Sequence, residues 1–169
     1  MEKIITPSLF ILDVDGVMTD GSFTYSEQGK THKSFGADDA DGLALLSNYM
    51  KIRFVSADKR GFPITKKRIA EDMGYPLDCV SSAERIEWIK SLEEAQNVIY
   101  MGDGFYDFRI FDAVGYGIAP ENALQHTKDK ASFVTSRKGG DRAVAQACLH
   151  IIDTFFGGAN AALYEPKNK

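Results

Sequence analysis

The sequence predicts an α/β fold: a Rossmann-like three-layer sandwich on a mainly parallel sheet, with a β-hairpin inserted after the first strand. Three observations carry this. Short continuous apolar runs, Leu9-Phe10-Ile11-Leu12 foremost, end in polar residues and turns, as strands buried on both faces do. They alternate with longer stretches of helical spacing, the pattern of parallel strands joined by crossover helices. Two short alternating runs around Glu27-Gln28-Gly29-Lys30 stand where the first crossover helix would begin, and they read as a hairpin.

The elements follow in order. Leu9 to Leu12 is the first strand, leading into Asp13-Val14-Asp15-Gly16. Side chains alternate along a strand, so Asp13 and Asp15 are expected on one side of its carboxyl end. The hairpin spans 22–35, and its aromatic residues Phe23, Tyr25 and Phe35 need a surface to pack on, which fits a subunit contact or an active-site cover. Asp38 to Met50 reads as a helix opened by Asp38, Asp39 and Asp41. Lys51 to Ser56 is the second parallel strand, and Lys66 to Met73 a basic amphipathic helix closed by Gly74. Leu77 to Val80 is a strand, Ser82 to Leu92 a helix, and Asn97 to Met101 a strand ending in Gly102-Asp103-Gly104. A helix over Phe105–Val114, strands at Tyr116–Ala119 and Phe133–Thr135, and a last helix over Asp141–Phe156 complete the pattern. The tail 157–169 reads as flexible.

Length bounds the answer to one domain over 1–169, long enough for a three-layer core. Hydrophobic content of 44% and charged content of 26% are those of a soluble globular chain. The net charge of −4 comes without like-charge blocks, which argues against nucleic acid as a partner. An anionic substrate therefore needs a local positive site, and a metal ion supplies one. The two cysteines, Cys79 and Cys148, lack zinc spacing and read as buried, reduced thiols. The start MEKIITPS has no signal-peptide pattern, and no apolar run reaches membrane-spanning length. The default expectation is a cytoplasmic protein without a membrane partner.

Three strand ends present polar groups at one sheet edge: Asp13 with Asp15, Ser56, and Asp103 with Asp107. Open α/β sheets bind ligands there. The logic of the set is phosphoryl transfer. Mg²⁺ takes one or two carboxylates plus other oxygens; Asp13 and Asp103 supply carboxylates and Asp15 a backbone carbonyl. Ser56 and nearby N–H groups suit phosphate oxygens.

In order and at strand ends, Asp13-Val14-Asp15-Gly16, Val55-Ser56-Ala57 and Gly102-Asp103-Gly104-Phe105-Tyr106-Asp107 resemble the motifs of the haloacid dehalogenase superfamily, over nearly the whole chain. DVDGVMTDG, the hairpin, FGADDADGLALL and SRKGGDRAV resemble its small capless phosphatases of sugar-acid biosynthesis. Those act on 3-deoxy-octulosonate 8-phosphate or on nine-carbon keto-acid 9-phosphates. The resemblance implies that Asp13 is the nucleophile and Asp15 the acid and then base. It implies that Asp13, Asp15 and Asp103 hold Mg²⁺, that Asp107 braces the loop, and that Gly16, Ser56, Ala57 and Arg85 meet the phosphate. Arg85, in Ser82-Ala83-Glu84-Arg85, stands where the family carries Lys. Asp38 and Asp58 stand where the octulosonate enzymes usually carry Arg. The resemblance also implies a homotetramer through the hairpin 22–35, with a small phosphorylated sugar or sugar acid as substrate, and a site near Gly139-Gly140.

Two other readings stay open on the residues. One is a non-catalytic relative kept as a binding or assembly subunit. The other is a phospho-receiver domain, although a receiver's phosphorylated Asp ends the third strand, here near Val80-Ser81.

Overall fold

The computed structural model describes residues 6–158. Among these, six strands form one parallel sheet in the order β5-β4-β1-β6-β7-β8. They are β1 (Leu9–Asp13), β4 (Lys51–Ser56), β5 (Leu77–Cys79), β6 (Val98–Met101), β7 (Tyr116–Ala119) and β8 (Phe133–Val134). The hairpin strands β2 (Thr24–Ser26) and β3 (Gly29–His32) form a separate antiparallel pair. The α/β class and the hairpin after β1 agree with the sequence pattern.

Strand β1 lies between β4 and β6, with Asp13 opposite Val55 and Leu12 opposite Met101. That register brings Asp13, Ser56 and the turn after Met101 to one edge. Alternation along β1 builds the layers. Phe10, Leu12 and Val14 point into one core, shared with Leu43 and Leu46 of α1 (Asp39–Leu46) and Val144, Ala147 and Ile151 of α6 (Ala143–Phe155). Leu9 and Ile11 point into the other, with Ile89 of α3 (Arg85–Leu92) and Ile110 and Phe111 of α4 (Asp107–Phe111). Each Val, Leu, Ile or Phe side chain among them contributes about 1.5–3 kcal/mol when fully buried.

Several boundaries differ from expectation. The helix expected from Lys66 begins earlier, as α2 (Phe62–Lys66), and continues in π-helical turns over Lys67–Asp72. Pro63 in its first turn sets the start, because proline is preorganised there. Helix α4 is shorter than 105–114, and Phe105 and Tyr106 lie in an exposed loop before it. A short helix, α5 (Gln125–Lys128), occupies a stretch with no helical periodicity in the sequence. Cys148 is buried as expected, but Cys79 is exposed, because β5 is an edge strand. Among the described residues no helix is long and apolar enough to cross a membrane. From residue 159 onward the expected tail lies outside the described residues, as do the first five residues of the chain.

Candidate active site

Strand β1 ends at Asp13, so the alternation that would align Asp13 with Asp15 stops there. Each carboxylate has its own cation. Asp13 Oδ2 lies 3.4 Å from Arg85 Nη1, and its Oδ1 accepts the Val14 N–H at 2.9 Å. Asp15 turns to Lys33, whose Nζ is 2.7 Å from Oδ1 and 3.0 Å from Oδ2.

Asp13, Asp103 and Asp107 each bring one carboxylate oxygen within 4.8 Å of the others. Burial, followed by repulsion from Asp13 and Asp107, raises the Asp103 pKa to about 8. Burial also raises Asp13 to about 6, against the pull of Arg85. Asp107 is raised by burial too, with Arg85, the Gly104 N–H and the Tyr100 hydroxyl opposing the rise. Three crowded carboxylates that resist ionisation fit a hard divalent cation, which takes oxygen ligands. Asp107 is already engaged on both oxygens. Oδ2 accepts the Gly104 N–H at 2.8 Å, and Oδ1 accepts the Tyr100 hydroxyl at 3.2 Å with Arg85 Nη1 at 3.7 Å. It ties the Gly102–Gly104 turn to the floor of the site, so Asp13 and Asp103 are the members of the cluster with oxygens that could hold a cation.

Arg85 is 2% exposed at the start of α3. It donates to Tyr100 Oη at 2.8 Å and to the Val80 carbonyl at 3.3 Å. Burial opposes its charge, but Tyr100, Asp13 and Asp107 outweigh that and hold it protonated.

Gly16 follows with a positive φ of 79°, and a Cβ there would stand 1.8 Å from Asp103 Oδ2. Only glycine admits both the backbone angle and the contact. Its N–H, expected among the phosphate-binding groups, donates to Thr19 Oγ1 at 3.1 Å, and its carbonyl accepts Asn122 Nδ2 at 2.9 Å. Asn122 Oδ1 accepts the Gly139 N–H at 2.6 Å, which fastens the Gly139-Gly140 stretch to the β1 loop. Ser56 is buried; its hydroxyl accepts the Asp58 N–H at 3.1 Å and reaches Asp15 Oδ2 at 3.5 Å. Ala57 is exposed at the edge.

The residues not foreseen are Lys33, Thr65 and Tyr100. Lys33 Nζ meets Asp58 Oδ2 at 2.8 Å and Thr65 Oγ1 at 2.9 Å, and Lys30 Nζ meets Asp58 Oδ1 at 2.6 Å. Burial opposes the Asp58 charge, but the two ammonium groups and the Gly61 N–H outweigh it and lower its pKa to about 2. Asp38 is paired as well, with Arg142 Nε at 2.6 Å. Asp38 and Asp58, which stand where the octulosonate enzymes usually carry Arg, are therefore each paired with a cation. Beside the Asp103 turn, a cavity of about 350 Å³ is lined by Ser82, Ala83, Tyr106 and Arg109.

Residues 89–147 match the haloacid dehalogenase-like hydrolase family. The chain is 31% identical over 144 residues to the 3-deoxy-D-manno-octulosonate 8-phosphate phosphatase of Haemophilus influenzae, spanning 82% of this chain and 79% of that protein. It is 30% identical over 159 residues to the Salmonella typhimurium protein of the same name, spanning 88% and 80%. A probable phosphatase from Pseudomonas syringae shares the fold with a TM-score of 0.80 at 28% identity, covering 89% of this chain and 87% of that one. The cobalt-bound Haemophilus influenzae phosphatase does so with a TM-score of 0.79 at 26% identity, covering 89% and 90%.

Proposed function

Because this chain belongs to the haloacid dehalogenase-like hydrolases, in the branch of the 3-deoxy-D-manno-octulosonate 8-phosphate phosphatases, we propose that it is a Mg²⁺-dependent phosphatase of a small phosphorylated sugar acid. The substrate is of the eight-carbon 8-phosphate or nine-carbon 9-phosphate type. One observation carries the reading: Asp13 and Asp103 crowd together at the sheet edge with Arg85 behind them and Asp15 beside them.

In this reading Asp13 Oδ attacks phosphorus in line with the leaving oxygen. The P–O bond to the sugar breaks as the acyl-phosphate bond forms, and one hard hydrolysis becomes two easier steps. Asp15 gives the departing oxygen its proton. It then takes a proton from the water that attacks phosphorus, releasing phosphate and restoring the Asp13 carboxylate. Arg85 keeps Asp13 ionised and oriented as the charge is redistributed. The Asp13 and Asp103 carboxylates with the Asp15 carbonyl would hold Mg²⁺, which would supply neutralisation of the negative charge of nucleophile and phosphate. In this reading Ser56 and the Ala57 backbone are the groups assigned to the phosphate oxygens.

Asp38 and Asp58 do not count against an acidic substrate. Arg142 matches the first and Lys30 with Lys33 the second, so neither presents a free negative charge to a carboxylate. The exposed hairpin aromatics Phe23 and Tyr25 support assembly through 22–35 into a homotetramer around one hydrolase domain per chain. Free cysteines suit a cytoplasmic site of action.

The test is phosphate release with Mg²⁺ across sugar and sugar-acid phosphates. The expected result is preference for an eight- or nine-carbon keto-acid phosphate, lost in Asp13→Asn. Wild-type turnover by Asp13→Asn overturns the mechanism. Silence of the Mg²⁺-binding wild type across the panel moves the chain to a binding or assembly role.

A further inference from the structure

The hairpin places a buried ammonium at the acid–base carboxylate. The Lys33 side chain is 0% exposed. Its Nζ touches both oxygens of Asp15, Asp58 Oδ2 and Thr65 Oγ1, all within 3.0 Å. Three separate segments meet on this one atom: the loop after β1, the loop after β4, and helix α2. Burying an ammonium costs several kcal/mol before its partners compensate, and apolar residues can dock a hairpin equally well. A clamp for the hairpin alone does not require this arrangement. Asp58 also has a second cation, Lys30, so Lys33 is not needed to neutralise it. What Lys33 alone does among the described residues is set a cation against Asp15, donating a hydrogen bond to Oδ2 and lying 2.7 Å from Oδ1, which restrains the rotation of that group about its side chain.

We infer that Lys33 is the positioning residue for Asp15, a hairpin-borne ammonium that aims the acid–base carboxylate at the leaving oxygen while Arg85 serves Asp13. The inference rests on the phosphatase reading above. In the first step the proton leaves Asp15 for the sugar oxygen as the P–O bond breaks, and the carboxylate left behind already lies against Lys33. In the second step the attacking water returns a proton to Asp15 in the same place. A carboxylate freed from this grip rotates away from the leaving oxygen, and the loss falls on substrates whose leaving group needs a proton. Asp58 and Thr65 hold Lys33 in turn, which gives the loop after β4 a purpose beyond phosphate binding.

The experiment compares kcat/KM for an alkyl ester, a sugar phosphate turned over by the wild type, with that for p-nitrophenyl phosphate, whose leaving group departs without a proton. Lys33→Met is expected to lose about 100-fold or more on the alkyl ester and less than about tenfold on the aryl ester, with KM unchanged on both. Lys33→Arg should recover part of the alkyl activity, and Asp58→Asn should show the same selectivity at smaller size. If Lys33→Met does not fold, the alkyl-to-aryl ratio in Lys33→Arg and Asp58→Asn decides. An equal loss on both esters, tracking a lower thermal midpoint, marks a hairpin clamp and overturns the inference. An equal rise of KM on both marks a contact to the substrate phosphate and also overturns it. A wild type silent on both esters overturns the phosphatase reading itself.

Discussion

Arg85 Nη1 stands 3.4 Å from Asp13 Oδ2, and the same nitrogen stands 3.7 Å from Asp107 Oδ1. One buried guanidinium thus serves the candidate nucleophile and the acid that braces the Asp103 turn. Arg85→Met would leave both carboxylates buried without that charge, an arrangement that costs about 3–5 kcal/mol. Arg85→Lys keeps the charge but not the fork that reaches Tyr100 and Val80 together. The expected order in urea midpoint and in kcat/KM is wild type, then Lys, then Met. Lys should lose about 1–2 kcal/mol, and Met at least about 100-fold in kcat/KM. Equal midpoints for Met and wild type would show that Arg85 carries no such load.

If the acidic cluster holds Mg²⁺ as proposed, stability depends on pH and on metal together. In the metal-free protein, Asp13 and Asp103 have pKa values raised above 3.8, to about 6 and about 8. The folded state therefore holds their protons more tightly than the unfolded chain. The stability this gives is present below about pH 4 and is lost as pH rises through about 6 and then about 8. Mg²⁺ needs the ionised carboxylates, so its apparent affinity rises over the same window. The thermal midpoint without metal should fall from about pH 4 to about pH 8, and the increment from saturating MgCl₂ should grow. Asp103→Asn should remove most of that increment. An increment independent of pH would place the cation elsewhere.

How far this was readable in advance depends on the physics each residue obeys. Asp13, Ser56 and Asp103 were legible because continuous apolar runs identify parallel strands, and parallel strands align their carboxyl ends. Arg85 was placed by motif order, but its burial was not readable, since arginines are seldom buried. Lys33 was not legible at all. It lies 18 positions from Asp15, on a two-stranded hairpin whose tilt is set by tertiary docking. Alternation across Thr31-His32-Lys33 says only that Lys33 leaves from one face. The pairing of Asp58 with Lys30 and Lys33, and of Asp38 with Arg142, depends on the same long-range docking. The expected alignment of Asp13 with Asp15 assumed strand geometry through Asp15, and β1 ends at Asp13.

Gly16 offers a direct test of how tightly the β1 loop and the Asp103 turn are packed. Its φ is 79°, and an added Cβ meets Asp103 Oδ2 at 1.8 Å. Gly16→Ala has to move the loop or swing Asp103 out of the cluster. A misplacement of about 1 Å at a reacting centre costs about 100-fold. The expected outcome is a loss of that order in kcat/KM, together with a weaker Mg²⁺-induced thermal shift. Loss of activity with a full metal shift would mean that Asp103 kept its place and the loop moved instead.

Asp39 carries a prediction away from the chemistry. It is fully buried between α1 and α6, where Oδ1 accepts the Ala145 N–H at 2.9 Å. Its Oδ2 has no hydrogen-bond partner among the described residues. Burial raises its pKa to about 6, although the N–H groups of Ala145 and Val144 oppose the rise. Its contribution to stability is therefore present below about pH 4 and lost as pH climbs through about 6, leaving a penalty of about 1–3 kcal/mol at neutral pH. Asp39→Asn keeps an oxygen for the Ala145 N–H and carries no charge. Compared by urea unfolding, the variant should match the wild type near pH 4, exceed it by about that amount at pH 7, and show a flatter profile between. A variant less stable than wild type at pH 7 would mean that the amino-terminal N–H groups of α6 favour the carboxylate more than burial opposes it.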